Sequence, residues 1–525
     1  MTTTSNRIAA AALAALALAG LAPEATAQAR FECARKGGDL IFGLEAKVPT
    51  YDQHVSTAGA ARNIAAHMFE ALMTRDEKVA PMLGLAESMT ESADGKTYIF
   101  KLRKDVQFHN GKTMTSADVL ASYERYKRVG VERGSFAIID RWEAPDADTF
   151  VVHLKERQAT FLDSFSNFTA PVVIIPKENA DAEANRLPAV GTGPYQLVEY
   201  GDTLIKLKRF DGFKPDMRHT QPTGFGGYKQ ACADTITFRI LTEGGTRIAA
   251  LETGEVHIVE DVPTTAQKRL AQNAAIKLLR LEDFWLHISY PNFSAPPTDN
   301  LKVRQAIQAA MDMEEIMEAA SDGAYKLGHA FQFGSSPYYS DAGKGLYNQK
   351  DKAKARRLLQ EAGYKGEKVV LLTNRDYVQM YNASVMMNEQ LKAVGINSEL
   401  LVLDWPAALD KSNKDTTGWN FFFSGWTSVV AQGGLQSLRF LADPFNVHKP
   451  RDNKSDPEFM AAWLGGLSAP KLEDRIAAFE KAQARAYDQV MALPLGILPK
   501  VQGTRANIEG FTPYFITRGW NVSVK

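Results

Sequence analysis

Three apolar runs in the second half of the chain each end on side chains suited to holding a small molecule. Asn374, Arg375, Asp376 and Tyr377 follow the run 368–372; Asp404 and Trp405 follow 396–403; Gly425, Trp426, Thr427 and Ser428 follow 419–424. A guanidinium is a fixed cation with a planar fork for a carboxylate, and indoles are flat apolar walls. Such a set binds a solute but carries no evident reaction. The chain has no Gly-x-Ser-x-Gly elbow, no His-Glu-x-x-His pair and no Walker-type phosphate loop. Gly191-Thr192-Gly193-Pro194 lacks the third glycine of a nucleotide loop and has a proline where a helix would start, so it reads as a turn at a domain crossover. Nine histidines are scattered without metal-ligand spacing. Solute binding with no catalytic residue, no cofactor and no protein-held metal is expected. The alternatives are a binder of a chelated metal or metallophore, bound through its organic shell, and a secreted hydrolase.

The three runs alternate with helical segments. Asn382 is placed to cap a helix ending at Val394-Gly395, and strand–helix alternation predicts an α/β fold with a mostly parallel sheet, ligands lying at the carboxyl ends of its strands. Earlier in the chain, alternation and apolar runs predict strands over 39–44, 96–102, 149–154, 235–241 and 284–290. Helical periodicity covers 60–73, 116–128, 299–309 and 351–362, with a loop over 51–58.

Sixty-one basic and 61 acidic residues leave no net field for nucleic acid, and 45% hydrophobic with 23% charged residues is an ordinary globular composition. At the amino terminus Arg7 precedes an Ala/Leu-rich run over 8–21, too short for a comfortable membrane span, and then Ala27-Gln28-Ala29. A signal peptide over 1–29, cleaved after Ala29, is expected, with export to the periplasm. Cys33 follows Arg-Phe-Glu, which is no lipid-attachment context. The remaining 496 residues (525 − 29) exceed what one core usually serves, so at least two lobes are expected. An oxidising compartment would favour pairing Cys33 with Cys232; the alternative is two separate buried thiols.

Several short motifs occur in a specific order and spacing. They are Phe69-Glu70-Ala71-Leu72, the segment 80–86, Leu102-Arg103 with Phe108 and Asn110-Gly111, Ala117-Asp118-Val119, Val190 to Tyr195, Leu251-Glu252-Thr253-Gly254-Glu255-Val256, Lys302-Val303-Arg304-Gln305-Ala306, and Glu361-Ala362-Gly363-Tyr364. Together the chain resembles the peptide/nickel-type family of extracellular solute-binding proteins, family 5, which includes dipeptide- and oligopeptide-binding members.

The resemblance implies a two-lobed periplasmic-binding-protein fold (type II, three domains) that closes by a hinge over its ligand. It implies a monomer that delivers the ligand to permease subunits of an ABC transporter, whose ATPase supplies the energy. Domain I would combine 30–68, 205–288 and 497–525, domain II would be 69–204 and domain III 289–496. Both cysteines would then lie in domain I, in agreement with a disulfide. Arg375 resembles the arginine that peptide-binding members set against a ligand carboxylate, Trp426 resembles the tryptophan lining their cleft, and Thr57, Ala58 and Gly59 resemble the first-lobe loop that meets the ligand backbone. Where those members carry an Asp three residues after the tryptophan, this chain has Val429. An ammonium buried without an acidic partner is costly, so Arg375 without that Asp implies anionic ligands lacking an exposed ammonium.

Overall fold

The computed structural model describes residues 29–525, except for the side chains of Ser428 and Val429; the expected leader, apart from Ala29, lies outside the described residues. A ten-stranded sheet runs through the molecule. Its order is Ser398–Leu403, Val369–Asn374, Phe421–Trp426, Ile276–Pro291, Leu493–Arg505, Ile258–Val259, Asp39–Leu44, Thr235–Ile240, Leu204–Arg209 and Tyr195–Tyr200. Val369–Asn374 pairs in parallel with both Ser398–Leu403 and Phe421–Trp426, the parallel block expected from strand–helix alternation. Asp39–Leu44 pairs in parallel with Thr235–Ile240 and with Ile258–Val259.

The sheet as a whole is mixed rather than mostly parallel. Two long strands, Ile276–Pro291 and Leu493–Arg505, run antiparallel to each other through its middle and join the two parallel blocks. Only a seven-residue part of the first is legible as a strand, because Lys277, Arg280, Glu282 and Asp283 interrupt the apolar pattern nearer its start. Their register shifts between Leu281 and Trp285, and such a bulge bends a strand and re-aims its side chains.

Local chemistry sets the helix limits. The Asn374 Oδ1 accepts from the Tyr377 amide at 2.9 Å, so the helix Val378–Ala393 starts directly after Tyr377 and Asn382 lies inside it rather than capping it. The helix Gly59–Met68 is shorter than the periodic stretch 60–73, since Phe69 is extended and Met73–Arg75 forms a strand. Ser116–Val129 is opened by a capping box between Thr115 and Asp118. Gly191 and Gly193 pack on the backbone where that first helix ends; a Cβ on Gly191 would lie 2.1 Å from the Met68 carbonyl oxygen, so the turn requires glycine.

A separate antiparallel sheet, in the order Ala86–Glu91, Thr97–Leu102, Thr149–Leu154, Ile139–Asp146, has its own core around Phe100, Phe108, Tyr123, Phe150 and Phe165. A second core lies around Phe42, Ile64, Tyr195 and Phe238, and the largest surrounds the Phe421-Phe422-Phe423 strand. Cys33 and Cys232 form a disulfide with their Cα atoms 5.6 Å apart and a sequence separation of 199, fastening the segment before Asp39–Leu44 beside Thr235–Ile240. Among the described residues no helix is long and apolar enough to cross a membrane, and no cluster of three or more His, Cys, Asp or Glu is placed to hold a metal ion.

Four buried histidines are neutral. His67 donates through Nδ1 to the Asn63 carbonyl and accepts at Nε2 from the Gly519 amide, each at 2.8 Å. His54 accepts from Arg125 and donates to the Val173 carbonyl, both at 2.9 Å. Neither ring nitrogen of His287 or His448 has a partner among the described residues. Burial lowers the pKa of His54 to about 4 and those of His67, His287 and His448 to about 3.

Two predictions follow from this packing. Thiol titration of the oxidised, denatured protein finds no free thiol, and Cys232→Ser lowers the unfolding free energy by about 2–5 kcal/mol; two reactive thiols in the untreated protein would exclude the bond. Because the unfolded state takes up protons at these histidines from pH 6.5 downwards and the folded state does not, stability is complete above that value and is lost as pH falls toward the folded pKa values. Urea melts at about pH 7 and pH 5 should differ by roughly 2 kcal/mol per histidine, and His287→Leu, which removes two unpartnered nitrogens, should flatten the dependence. Equal midpoints at the two pH values would contradict this.

Candidate functional site

The parallel strands direct their carboxyl ends at one cavity of about 460 Å³. One wall comes from Thr57, Ala58, Gly59 and Arg62, with Val131–Gly134 and Thr169; the other from Tyr377, Trp405, Ser424–Thr427 and the segment holding Phe440, Phe445 and Lys449. The bulge in the long strand turns Phe284 and Trp285 into it. Tyr377 stands edge-on to both Trp285 and Trp405, at 5.2 and 5.1 Å between ring centroids, so the apolar wall is a braced set of rings.

The floor is charged. Glu45 follows Asp39–Leu44, Glu260 follows Ile258–Val259, and both face Lys500 of the long strand. Lys500 is ion-paired with Glu45 and lies 3.7 Å from Glu260, whose oxygens also accept from Asn63 Nδ2 at 2.8 Å and the Glu45 amide at 3.3 Å. Burial pushes the Glu45 carboxyl up to about 7, against the pull of Lys500.

The walls meet through a second buried pair. Glu132, 1% exposed, is held in a fork by Arg439, 3% exposed, at 3.0 and 3.1 Å. Asn167 donates to the same carboxylate at 2.6 Å, and Gln432 reaches across to Asn167 and Thr169, each at 2.9 Å. Gln436 donates to Ser164 at 2.7 Å. The cavity is therefore closed on this side by side chains from both lobes.

Arg62 does not share in this pairing. It is 6% exposed and lines the cavity, yet forms no ion pair among the described residues. Its Nη1 donates to the carbonyls of Thr57 at 2.6 Å and Thr169 at 3.0 Å, while its Nε has no partner. Burial lowers its pKa to about 10, with Tyr377 and Glu132 opposing and Arg439 adding to the shift. Two other polar atoms on the wall lack partners among the described residues, Trp405 Nε1 and Thr427 Oγ1.

Of the residues expected from sequence, Thr57, Ala58, Gly59, Tyr377, Trp405, Trp426 and Thr427 line this cavity. Arg375 does not. The Asn374 turn sends Tyr377 inward and leaves Arg375 in solvent, where its guanidinium lies 5.0 Å from the Tyr381 ring. Asp404 also lies off the cavity wall, capping the helix Trp405–Lys414 through the Ala407 amide at 3.0 Å and pairing with Lys47 at 3.2 Å. Asp376 accepts from the Lys47 amide at 3.4 Å, so neither aspartate neutralises Arg375. Val429 lies in the short helix Ser428–Ala431, and its side chain is outside the described ones.

Sequence reasoning missed Arg62, Glu132, Arg439 and the floor. The strand-end rule, applied also to 39–44, would have pointed to Glu45. Arg62 carries a weaker signal, a lone charge among Ala60, Ala61, Ile64 and Ala65 one turn after the Thr57–Gly59 loop. Glu132 and Arg439 lie 307 residues apart and carry no local signal.

Comparison with known proteins agrees with this architecture. The model of the bacterial extracellular solute-binding proteins, family 5, matches residues 80–442. A probable peptide ABC transporter periplasmic-binding protein from Sinorhizobium fredii is 27% identical over 494 residues, covering 90% of this chain and 91% of the relative. The glutathione-binding protein of Escherichia coli is 25% identical over 498 residues, covering 91% and 93%. Among solved structures, the PBP AgaA in complex with agropinic acid from A. tumefaciens R10 superposes with a TM-score of 0.81 at 24% identity, covering 93% of this chain and 99% of that one, which shows a shared two-lobed binding-protein fold. With a family model matched over most of its length and an interlobe cavity at its strand ends, the chain belongs to the family 5 bacterial extracellular solute-binding proteins.

Proposed function

We propose that the protein is the exported substrate-binding component of an ABC importer, taking a small, peptide-like organic solute into the interlobe cavity and delivering it to permease subunits in the inner membrane. The observation that carries this is the cavity of about 460 Å³ between two walls that meet through the buried Glu132–Arg439 pair. That volume lies within the range of small-molecule sites, and aromatic walls with a few polar groups are their usual lining. The peptide- and glutathione-binding names of the relatives support a peptide-like ligand. No histidine or cysteine is among the lining residues, which favours binding over catalysis. Cleavage after Ala29, a periplasmic location, action as a monomer and the three-domain division with domain II at 69–204 and domain III at 289–496 belong to the same proposal.

Native mass spectrometry of the protein as purified should find a small molecule released on unfolding. With that compound saturating, small-angle scattering should give a smaller radius of gyration than the stripped protein. Arg439→Ala leaves Glu132 without its partner in the closed form, so it should weaken the ligand by roughly 2–5 kcal/mol while the stripped protein, open and hydrated at this point, melts nearly as before. An unchanged radius with ligand tightly bound would sink the closing mechanism, and conversion of the compound on incubation would show an enzyme instead.

A further inference from the structure

The helix Gly59–Met68 begins at the cavity wall without a side-chain cap: Ala58 is the N-cap residue and offers no acceptor. Among the described residues the amides of Gly59, Ala60 and Ala61 have no hydrogen-bond partner, the first bond of the helix running from the Arg62 amide to the Ala58 carbonyl at 3.2 Å. A bare helix start carries the positive end of the macrodipole. Arg62 rises from its first turn, with Nη1 used by the Thr57 and Thr169 carbonyls and the opposite edge, Nε and Nη2, without hydrogen bonds among the described residues. That edge is the side-on half of the guanidinium fork, spaced for the two oxygens of a carboxylate.

The remaining lining charges do not neutralise it. Glu45 and Glu260 face Lys500, and Glu132 is taken by Arg439. The cations Arg133 and Lys449 also line the cavity and form no ion pair among the described residues. Trp405 Nε1 and Thr427 Oγ1, both unpartnered, add donors on the facing wall. The cavity therefore offers donors and unpaired cations without a free carboxylate.

We propose that Arg62 and the start of its helix form an anion subsite that binds a ligand carboxylate side-on, making the solute a small organic acid without an exposed ammonium. This rests on the solute-binding reading above and deepens it. The same chemistry was expected of Arg375, which lies in solvent, so a different residue on the other wall supplies it. A carboxylate held there matches one buried guanidinium with one negative charge, and closing the lobes removes both from water together.

The test uses a panel of N-acetylated dipeptides, each as free acid and as carboxyl-terminal amide, with phenyl phosphate and unblocked dipeptides added, titrated by calorimetry into the stripped full chain. Acids should bind at least about thirtyfold tighter than their amides, and tighter than unblocked dipeptides. In Arg62→Gln the preference for acid over amide should collapse to within about threefold. Arg62→Lys keeps a charge but no fork, so it should retain the direction of the preference at about a tenth of the affinity or less, and it stands in if Arg62→Gln does not fold. Melting of the unliganded variants reports separately on the Thr57 and Thr169 hydrogen bonds, so a purely structural Arg62 would lower the melting temperature without changing the acid-to-amide ratio. Equal binding of acids and amides, an undiminished ratio in Arg62→Gln, tightest binding of phenyl phosphate, or no binding of any acid each overturns the assignment. Amides that bind and shrink the radius of gyration would remove the anion subsite and leave the solute-binding reading standing; compounds that bind without closure would remove that reading instead.

Discussion

Glu132 and Arg439 are taken wholly out of water where the two lobes meet, and most of the cavity's properties follow from that burial. Removing two ions from water costs several kcal/mol each, and their mutual attraction roughly returns it only when the geometry is good and the remaining donors and acceptors are filled. Here the fork is bidentate, Asn167 fills a further carboxylate position, and Gln432 accepts from Arg439 at 3.2 Å. A pair so balanced adds little net stability to closure. Its geometry would instead fix the register of the proposed closure, since a small displacement would leave either ion unpaired and dry. On the closing mechanism proposed above, a pair that contributes little net stability leaves the contents of the cavity to decide between closed and open states.

The inventory of the cavity is consistent with that division of labour. Closing it empty buries Arg62 with its side-on edge unbonded and strands Trp405 Nε1 and Thr427 Oγ1, each at the cost of a lost hydrogen bond to water. On the proposed reading, a ligand that supplies acceptors removes those costs. The aromatic walls add affinity for the ligand body without specifying direction, and the unsatisfied donors orient it.

The parts legible in the sequence are those set by local rules. Strand–helix alternation from residue 368 onwards gave the parallel block, and the ends of its strands gave Tyr377, Trp405, Trp426 and Thr427. Arg375 shows the limit of that rule. One side-chain-to-backbone bond, Asn374 to the Tyr377 amide, decides which of three adjacent residues turns inward, and strand-end position alone does not encode it. Glu132, Arg439 and the two long antiparallel strands depend on pairings between residues hundreds of positions apart, where neither periodicity nor capping leaves a trace. The disulfide, though also distant in sequence, is open to inference because only two cysteines exist to pair.

On the proposed closing mechanism, the floor would keep its shape while the walls move. Lys500 on its strand, and Glu45 and Glu260 directly after theirs, belong to three strands of the central sheet that are hydrogen-bonded side by side, so their ion pairs do not depend on lobe position. Lys500 also packs 5.2 Å from the Phe284 ring and 5.4 Å from Trp285, at the bulge where the long strand bends. A cation already shared by two carboxylates and two rings has little left to offer a ligand. With the floor saturated in this way, the cations left without an ion pair among the described residues lie on the walls, Arg62 on one side and Lys449 on the other.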